Sequence, residues 1–273
     1  MYEFEPSRHA TLTESLMSSA IHISVITATW QSAGTLGDCL ASVAGQTWSQ
    51  REHIVVDGGS TDGSVELMKG FQPAVSLFVS EPDAGIYDAL NKGMVLCSGD
   101  VVGFLNADDL YAAPDVLERV ARLFEDPTVD AVYGDLQYVS KEDPSRVVRH
   151  WASLPFSRRR LEWGWMPPHP TLYVRRRWYE QIGGFDTRYR IAADYHSMLR
   201  LFSQPDFKAV YLPMVMVRMR VGGVSNRSLR NILMKSREDL DAMRRTGIGA
   251  LGGYGALVWK NLGKLGQFFF GRA

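Results

Sequence analysis

Between residues 21 and 135, short runs of β-branched and other apolar residues alternate with stretches that have helical spacing. The predicted strands cover residues 21–27, 53–57, 76–79, 101–105 and 131–133. The predicted helices between them cover residues 35–43, 62–68, 86–95 and 114–124. Because strands that alternate with helices form parallel pairs with right-handed crossovers, we expect an α/β fold with a mainly parallel, Rossmann-like sheet flanked by helices.

Polar residues follow four of these strands, at the point where each strand ends. They are Thr27-Ala28-Thr29, Asp57-Gly58-Gly59, Glu81-Pro82-Asp83 and Asn106-Ala107-Asp108-Asp109. In an open α/β sheet, ligands bind beyond the carboxyl ends of the strands. The four segments therefore predict one binding crevice along a single edge of the sheet.

The paired carboxylates Asp108 and Asp109 follow the apolar run of residues 101–105. Adjacent carboxylates repel each other and resist desolvation, so the pair needs a partner. A helix cap before Pro114 would account for one of them. Mn²⁺ or Mg²⁺ would account for both, because hard cations take oxygen ligands and are usually shared with the phosphates of a substrate. The pair therefore predicts a metal site that also holds a diphosphate.

Two further motifs suit a nucleotide. The segment VVDGGSTDGS (residues 55–64) lacks the Gly-Lys-Ser/Thr of a phosphate-binding loop and the glycine of a calcium loop. Its Asp57 could accept the N–H of a base, or the segment could be a simple strand–turn–helix. In SEPDAGIYDALNKG (residues 80–93), Asp83 could contact a nucleotide while Asn91 or Lys92 reaches its phosphates. The alternative is a capped, solvated helix.

Charge is distributed unevenly along the chain, although the formal net charge is zero. Residues 1–148 carry 8 Lys/Arg and 22 Asp/Glu, and residues 149–273 carry 22 and 8. An acidic half suits metal ions, and a basic half suits phosphates or a lipid surface. The alternative is two solvated faces that pair with each other. Two cysteines without metal-ligand spacing, Cys39 and Cys97, predict reduced core thiols of a cytosolic protein.

Five ordered motifs carry a family resemblance: HISVITATW, VVDGGSTDGS, SEPDAGIYDALNKG, GDVVGFLNADD and IGGFDTRYRIAADYHSMLRL. With these motifs the chain resembles family 2 glycosyltransferases of the GT-A fold, over roughly residues 21–225. It is most similar to bacterial enzymes that build exopolysaccharides or lipid-linked glycans. The resemblance implies transfer of a sugar from a nucleotide sugar, UDP being the commoner choice, to a hydroxyl of a glycan or lipid-linked acceptor.

The resemblance also implies roles for individual residues on the donor side. The nucleobase pocket would be lined by Thr27, Thr29 and Asp57, and the nucleoside diphosphate would be held by Asp83 and Asn91. Asn106 stands where the family has the first acid of its D-x-D motif. Asp108 would face the ribose or the metal, and Asp109 would ligate Mn²⁺ or Mg²⁺.

On the acceptor side, Ala192-Ala193-Asp194-Tyr195 occupies the place of the family's E-D motif, with alanine for glutamate. Asp194 would be the general base of a single displacement with inversion. The alternative role for Asp194 is an N-cap of the following helix. Trp165 and His169 would contact the acceptor, although a lone histidine is more often structural.

We expect an N-terminal extension (1–20), a catalytic domain (21–225, with a nucleotide-sugar half to 135 and an acceptor half from 136) and a helical tail (226–273). The tail carries 9 Lys/Arg against 3 acids. Its apolar positions are spaced by three and four: Leu251, Tyr254, Leu257, Val258, Leu262, Leu265, Phe268 and Phe269. Such a helix suits the inner face of a membrane, or packing against protein.

We expect a cytoplasmic protein, peripheral at the membrane, because residues 1–20 lack the pattern of a signal peptide and no run is long enough to span a bilayer. No nucleic-acid partner is expected. Two alternative functions remain open. One is a sugar nucleotidyltransferase, although the loop after the first strand has no basic residue. The other is a non-catalytic module that binds a nucleotide sugar or a membrane.

Overall fold

The structure is a computed structural model and describes residues 20–72, 74–222, 229–249, 253, 255 and 256. Its strands are β1 (Ile23–Thr29), β2 (Arg51–Asp57), β3 (Leu77–Ser80), β4 (Val101–Phe104), β5 (Asp109–Tyr111), β6 (Ala131–Val139), β7 (Val147–Trp151), β8 (Tyr173–Arg175) and β9 (Ala209–Arg220). Its helices are α1 (Ala33–Ala44), α2 (Ser64–Gly70), α3 (Ile86–Leu96), α4 (Val116–Phe124), α5 (Arg158–Glu162), α6 (Arg176–Ile182), α7 (Ala193–Phe202) and α8 (Leu229–Thr246), with a 3₁₀ turn at His169–Thr171.

All nine strands belong to one sheet in the order β3-β2-β1-β4-β8-β6-β9-β5, with β7 paired to β6. Strands β1 to β4 pair in parallel, as predicted from the alternating pattern. The other half is mixed, because β8 runs antiparallel to both β4 and β6 whereas β6 and β9 are parallel. The predicted α/β fold with helices flanking the sheet is confirmed, and the mixed half adds four strands that the sequence pattern did not predict.

Pairing register brings the polar strand ends to the same level. Thr29 lies opposite Asp57 in the β1–β2 pair, and Asp57 lies opposite Ser80 in the β2–β3 pair. All seven residues of β1 are buried, as expected for a central strand covered on both faces. The crevice predicted at the carboxyl ends is therefore bordered by paired strand ends that the sheet holds in register.

Helices cover both faces of the sheet. One face packs on α1 and α4 through residues such as Cys39, Val43 and Phe124. The other face packs on α3, α6 and α7. Close packing requires a glycine in β4, because a Cβ at Gly103 would lie 2.2 Å from Cε1 of Tyr173, its partner in β8. Both cysteines are buried and free, in agreement with the predicted core thiols.

Helix α8 packs on the catalytic domain rather than leaving it. Ala242, Met243 and Ile248 join the core cluster that contains α7, and Ala256 is also part of it. The sequence suggested a domain boundary at residue 225, whereas the described part of the C-terminal segment belongs to the body of the domain. The predicted apolar positions from Leu251 to Phe269, and residues 1–19 of the predicted extension, lie outside the described residues.

Within the described ranges, none of the helices combines the length and the hydropathy needed to cross a bilayer.

Candidate active site

Asp57, at the end of β2, organises the turn that follows it. Its carboxylate accepts the backbone N–H groups of Gly59 (3.1 Å) and Ser60 (2.8 Å), the hydroxyl of Ser80 (2.7 Å) and the hydroxyl of Ser60. An ionised carboxylate offers about four lone-pair sites, so these donors match its capacity. Asp57 is fully buried, and its contact with a nucleobase stays a prediction.

Thr27 lies in the interior rather than in the crevice. Its Oγ1 is 3.0 Å from Nε2 of His53, and the residue is 0% exposed. The expected contact of its side chain with a base is therefore not supported. Thr29, two residues further along the same face, is 4% exposed, and its Oγ1 has no hydrogen-bond partner among the described residues. Of the two threonines, only Thr29 offers a hydroxyl at the strand end.

Trp30, Gly58 and Asp83 meet beyond the ends of β1, β2 and β3. A Cβ at Gly58 would lie 2.6 Å from Asp83 Oδ2 and 3.3 Å from Trp30 Cδ1, so glycine is required for this approach. Asp83 is half-buried, and its Oδ1 accepts the N–H of Gly85 at 2.8 Å. The indole of Trp30 is 67% exposed. Sequence reasoning missed Trp30, although it follows directly on the polar end of β1.

The loop that carries Trp30 is fixed by unusual backbone geometry. Gln31 has a φ of 49°, a left-handed conformation that is costly for a residue with a side chain. It is held there by the hydroxyl of Ser60, which accepts the N–H of Gln31 at 2.8 Å, and by that of Thr61, which accepts its Nε2 at 3.2 Å. The indole is therefore presented to solvent by a braced loop.

Asn91 joins two parts of the chain. Its Nδ2 donates to the carbonyl of Phe185 and its Oδ1 accepts the N–H of Phe185, both at 2.9 Å. Both ends of its amide are thus engaged by the backbone of Phe185, and its contact with a nucleoside diphosphate stays a prediction. Lys92 forms an ion pair with Glu81 at 2.8 Å. The helix α3 is thus anchored to the loop that leads to Asp194.

The two carboxylates of the NADD segment have different surroundings. Asp108 is half-buried at the crevice edge, whereas Asp109 is 0% exposed. Asp109 Oδ2 accepts Nδ2 of Asn106 at 3.0 Å, while its Oδ1 is buried without a partner among the described residues. Burial, and then the negative charge of Asp108, raise the pKa of Asp109 well above its ordinary value. An acid at position 106 would add a third carboxylate, so the amide relieves repulsion.

Arg220, at the end of β9, is a residue that the sequence analysis did not single out. Its guanidinium is almost fully buried, pairs with Asp38 of α1, and donates to the carbonyls of Asp108 (2.9 Å) and Lys141 (3.2 Å). Its positive charge lowers the pKa of Asp109 against the two larger effects. Arg220 fixes the backbone that carries the paired carboxylates.

Asp194 lies in the first turn of α7 and is half-buried. The hydroxyl of Tyr87 is 3.2 Å from its Oδ1 and 2.8 Å from the carbonyl of Ile191. Oδ1 also accepts the N–H of Tyr195 at 2.8 Å. Both of these contacts are made by the same carboxylate oxygen, Oδ1.

His169 lies against the strand that leads to the paired carboxylates. Its ring stacks on Phe104 and meets the edge of Phe185, with centroids 5.8 and 5.9 Å apart. Burial lowers the pKa of His169, and the negative charge of Asp194 opposes this shift. Nε2 is buried and has no partner among the described residues. The imidazole is therefore neutral near pH 7, with one polar atom available to a ligand.

Trp165, the other expected acceptor residue, packs against the core. Its ring makes an edge contact with Tyr133 at 5.8 Å and a tilted contact with Phe156 at 6.4 Å. The side chain is half-buried. A role for Trp165 in acceptor binding stays a prediction, and the neighbouring Trp163 is the more exposed indole, at 42%.

The paired carboxylates can hold a divalent cation only with help from a substrate. Among the described residues, no group of three or more His, Cys, Asp or Glu side chains is arranged to bind a metal. Mg²⁺, however, is commonly held by one or two carboxylates together with water and substrate phosphates. The accessible Asp108 and the unpartnered Oδ1 of Asp109 fit that mode, in which the cation arrives with a diphosphate.

Residues 24–210 match the family model described as Glycosyl transferase family 2. A PGL/p-HBAD biosynthesis glycosyltransferase of Mycobacterium bovis is 34% identical over 208 residues, which are 74% of this chain and 78% of that protein. Chondroitin synthase of Pasteurella multocida is 28% identical over 190 residues, 68% of this chain and 19% of that protein.

Solved structures share the fold. S. aureus TarS 1–349 in complex with UDP-GlcNAc has a TM-score of 0.66 at 17% identity, covering 83% of this chain and 65% of that one. The chain matches only 39% of a longer TarS chain. The mannosyltransferase PcManGT from Pyrobaculum calidifontis, in complex with GDP-Man and Mn²⁺, has a TM-score of 0.63 at 22% identity, covering 89% and 70%.

Proposed function

The chain belongs to glycosyltransferase family 2, and we propose that it transfers a sugar from a nucleoside diphosphate sugar to an acceptor hydroxyl with inversion of configuration. The donor is a UDP-sugar, and the acceptor is a glycan or a lipid-linked glycan used in polysaccharide biosynthesis. The observation that carries this proposal is the stack of His169 on Phe104, the last residue of the strand that leads to Asp108, since the negative charge of Asp194 acts on the same imidazole.

The donor occupies the crevice beyond the parallel strands. Trp30 stacks on the base, and Thr29 and Asp83 provide polar groups beside it. An exposed indole is suited to stacking because every base has an aromatic face. Asn106 acts indirectly by holding Asp109. A bound Mn²⁺ or Mg²⁺ would be held by Asp108 and Asp109 and would neutralise the charge of the diphosphate leaving group.

Asp194 is the general base. It takes the proton from the acceptor hydroxyl as that oxygen forms a bond to the anomeric carbon, and the bond from this carbon to the diphosphate breaks. The nucleoside diphosphate leaves with the electron pair. Tyr87 holds Oδ1 of Asp194, which leaves Oδ2 to receive the proton. No enzyme nucleophile takes part, so one displacement inverts the configuration.

The relatives support a range of donors and acceptors rather than one. TarS was solved with UDP-GlcNAc and PcManGT with GDP-Man and Mn²⁺. The mycobacterial relative is named for PGL/p-HBAD biosynthesis. A lipid-linked acceptor would place the enzyme at the inner face of the membrane, where the basic segment from residue 226 would interact with anionic lipids.

A donor screen tests this function. The protein is incubated with Mn²⁺ and UDP- or GDP-sugars, with and without a lipid-linked acceptor, and release of the nucleoside diphosphate is measured. The Asp194→Asn variant should bind nucleotide with unchanged affinity and lose at least about 100-fold in transfer rate, the usual contribution of a general base. Wild-type transfer by this variant would contradict the assignment of the base.

A further inference from the structure

Glu238 of α8 accepts three consecutive backbone N–H groups from the loop that precedes α7. Its Oε1 accepts the N–H of Arg190 at 3.0 Å, and its Oε2 accepts those of Ile191 and Ala192, each at 2.9 Å. Ala192 is the N-cap of α7. A helix N-terminus leaves its first backbone donors without partners, and here the N–H of Ala192 is satisfied by a carboxylate 46 residues away in sequence, which also binds the two amides before it.

Asp194 lies in the first turn of α7, two residues after Ala192, so this loop leads directly into it. The loop of residues 190–192 is also held by Tyr87 of α3, whose hydroxyl donates a hydrogen bond to the carbonyl of Ile191. The backbone of Ile191 is therefore hydrogen-bonded through its N–H to Glu238 of α8 and through its C=O to Tyr87 of α3. Ala192 and Ala193, which follow, are fully buried, so the loop cannot shift without breaking packed contacts.

We propose that Glu238 is a positioning residue that sets the place of Asp194 in the crevice. This inference rests on the proposed function, because it assumes that Asp194 is the base. Charged hydrogen bonds from three adjacent amides fix both the position and the tilt of the first turn of α7. A base must lie within hydrogen-bond reach of the proton it removes, and a displacement of about 1 Å can cost 100-fold in rate.

Helix α8 has other attachments that do not pass through Glu238. Asp241 accepts the hydroxyl of Tyr189 at 2.7 Å, and Ala242 and Met243 are buried in the core. A change at Glu238 should therefore loosen the loop while leaving α8 docked.

The test is a double-mutant cycle with Glu238→Gln and Asp194→Asn. Glutamine keeps the length of the side chain but replaces one acceptor oxygen with a donor that opposes a backbone N–H. We expect Glu238→Gln to lower kcat by about 10- to 100-fold, the range set by a misplacement of this size, with the donor KM within twofold. In the Asp194→Asn background the same change should have no further effect, because a positioning residue acts only through the group it positions.

Glu52→Gln is the matched control. Glu52 also accepts two neighbouring backbone N–H groups, those of Ser98 (2.6 Å) and Gly99 (3.2 Å), but at the amino-terminal edge of the sheet. The Glu52→Gln substitution should lower thermal stability and leave kcat unchanged. An equal loss of rate from Glu238→Gln in both the wild-type and the Asp194→Asn backgrounds would overturn the proposal, since a general structural defect behaves in that way.

The outcomes separate the two claims. If Asp194→Asn transfers sugar at the wild-type rate, the proposed base is wrong. If Asp194→Asn is inactive while Glu238→Gln keeps the wild-type kcat, only the positioning role is wrong. Amide hydrogen exchange of the wild-type protein needs no variant: the N–H groups of residues 190–192 should be protected, and exchange at the rate of an unfolded chain would overturn the proposal.

Discussion

The imidazole of His169 lies against the phenyl ring of Phe104, with centroids 5.8 Å apart and 18° between the ring planes. Phe104 is the last residue of β4, just before the segment that holds the paired carboxylates. The charge of Asp194 acts on the same imidazole. The imidazole thus lies against the strand that leads to Asp109 and within the influence of Asp194, two carboxylates that are 85 positions apart in sequence.

This stack leads to a prediction for His169→Phe. A phenyl ring keeps the stacking on Phe104 but removes Nε2, the buried nitrogen that has no partner among the described residues. If Nε2 bonds the acceptor or the diphosphate, the transfer rate should fall by about tenfold, the value of one hydrogen bond. The melting temperature should not fall, because no protein hydrogen bond is lost. Steady-state kinetics and thermal unfolding check both, and an unchanged rate would make His169 structural.

Asn91→Ala should affect stability rather than donor binding. The substitution leaves the N–H and C=O of Phe185 without the amide that now bonds both. We expect a loss of about 1–3 kcal/mol in the free energy of unfolding, measured by denaturant titration, and a donor KM close to that of the wild type. Lys92→Ala, which removes a half-exposed ion pair that solvent screens, is the control and should cost clearly less stability. A strongly raised donor KM at unchanged stability would show instead that Asn91 binds the diphosphate.

Asn91 and Asp108 show which features of the site could be predicted from the sequence and which could not. Period-2 and helical patterns are local, so they predicted β1 to β4, their parallel pairing and the polar edge that carries Asp108. The partner of a single polar side chain is not local. Asn91 bonds a residue 94 positions away, and the sequence contains nothing that distinguishes this amide from one that faces a phosphate.

Residues from the second half were missed for the same reason. Arg220 reaches Asp38 across 182 positions, and Glu238 reaches Ala192 across 46. Strand β9 and helix α8 contain no recognisable functional motif, because Arg220 and Glu238 form hydrogen bonds with backbone groups of other segments. Trp30 was different, because an aromatic residue directly after a polar strand end could have been recognised as a stacking group.

Trp30→Ala should weaken nucleotide binding without lowering stability. The indole is 67% exposed, so its removal takes little apolar surface from the core. Stacking on a base is worth about 1–3 kcal/mol, so calorimetric titration should show a Kd for UDP or GDP raised roughly 5- to 150-fold. Trp30→Phe should recover most of the affinity. Trp163→Ala, the matched loss of an exposed indole, should leave the nucleotide Kd unchanged, and equal effects of the two alanine variants would contradict this placement of the base.

Asp108→Asn should weaken the binding of Mn²⁺ to the nucleotide-loaded protein. Asp108 is the more accessible of the paired carboxylates, and an amide is a neutral and weaker ligand. The apparent Kd for Mn²⁺ in the presence of UDP should rise by about 100-fold or more, because even residues that only orient a metal ligand change affinity by 10- to 100-fold. Paramagnetic resonance of free Mn²⁺ measures this without turnover. Asp88→Asn, on α3, is the control, and unchanged Mn²⁺ affinity in Asp108→Asn would exclude this site.

We expect the buried His53 to make the free energy of unfolding depend on pH. Burial, and then the charge of Arg51, lower the pKa of His53 to about 3, and the imidazole shares a hydrogen bond with Thr27. In the unfolded chain this histidine binds a proton near pH 6.5, while in the folded protein it stays neutral. Its contribution is therefore fully present above pH 6.5 and is lost as the pH falls towards 3, because only the unfolded state gains the proton.

A glutamine at position 53 cannot bind that proton, so the pH dependence of the variant should be shallower. His53→Gln should be less stable than the wild type at pH 7, since a buried hydrogen bond is disturbed. Between pH 7 and pH 5 the difference in unfolding free energy should shrink by about 2 kcal/mol, the linkage expected for a group with an unfolded pKa of 6.5. Urea unfolding at several pH values measures this difference, in which the titration of all other groups cancels. A difference that stays constant over this range would show that His53 is protonated in the folded protein as readily as in the unfolded chain.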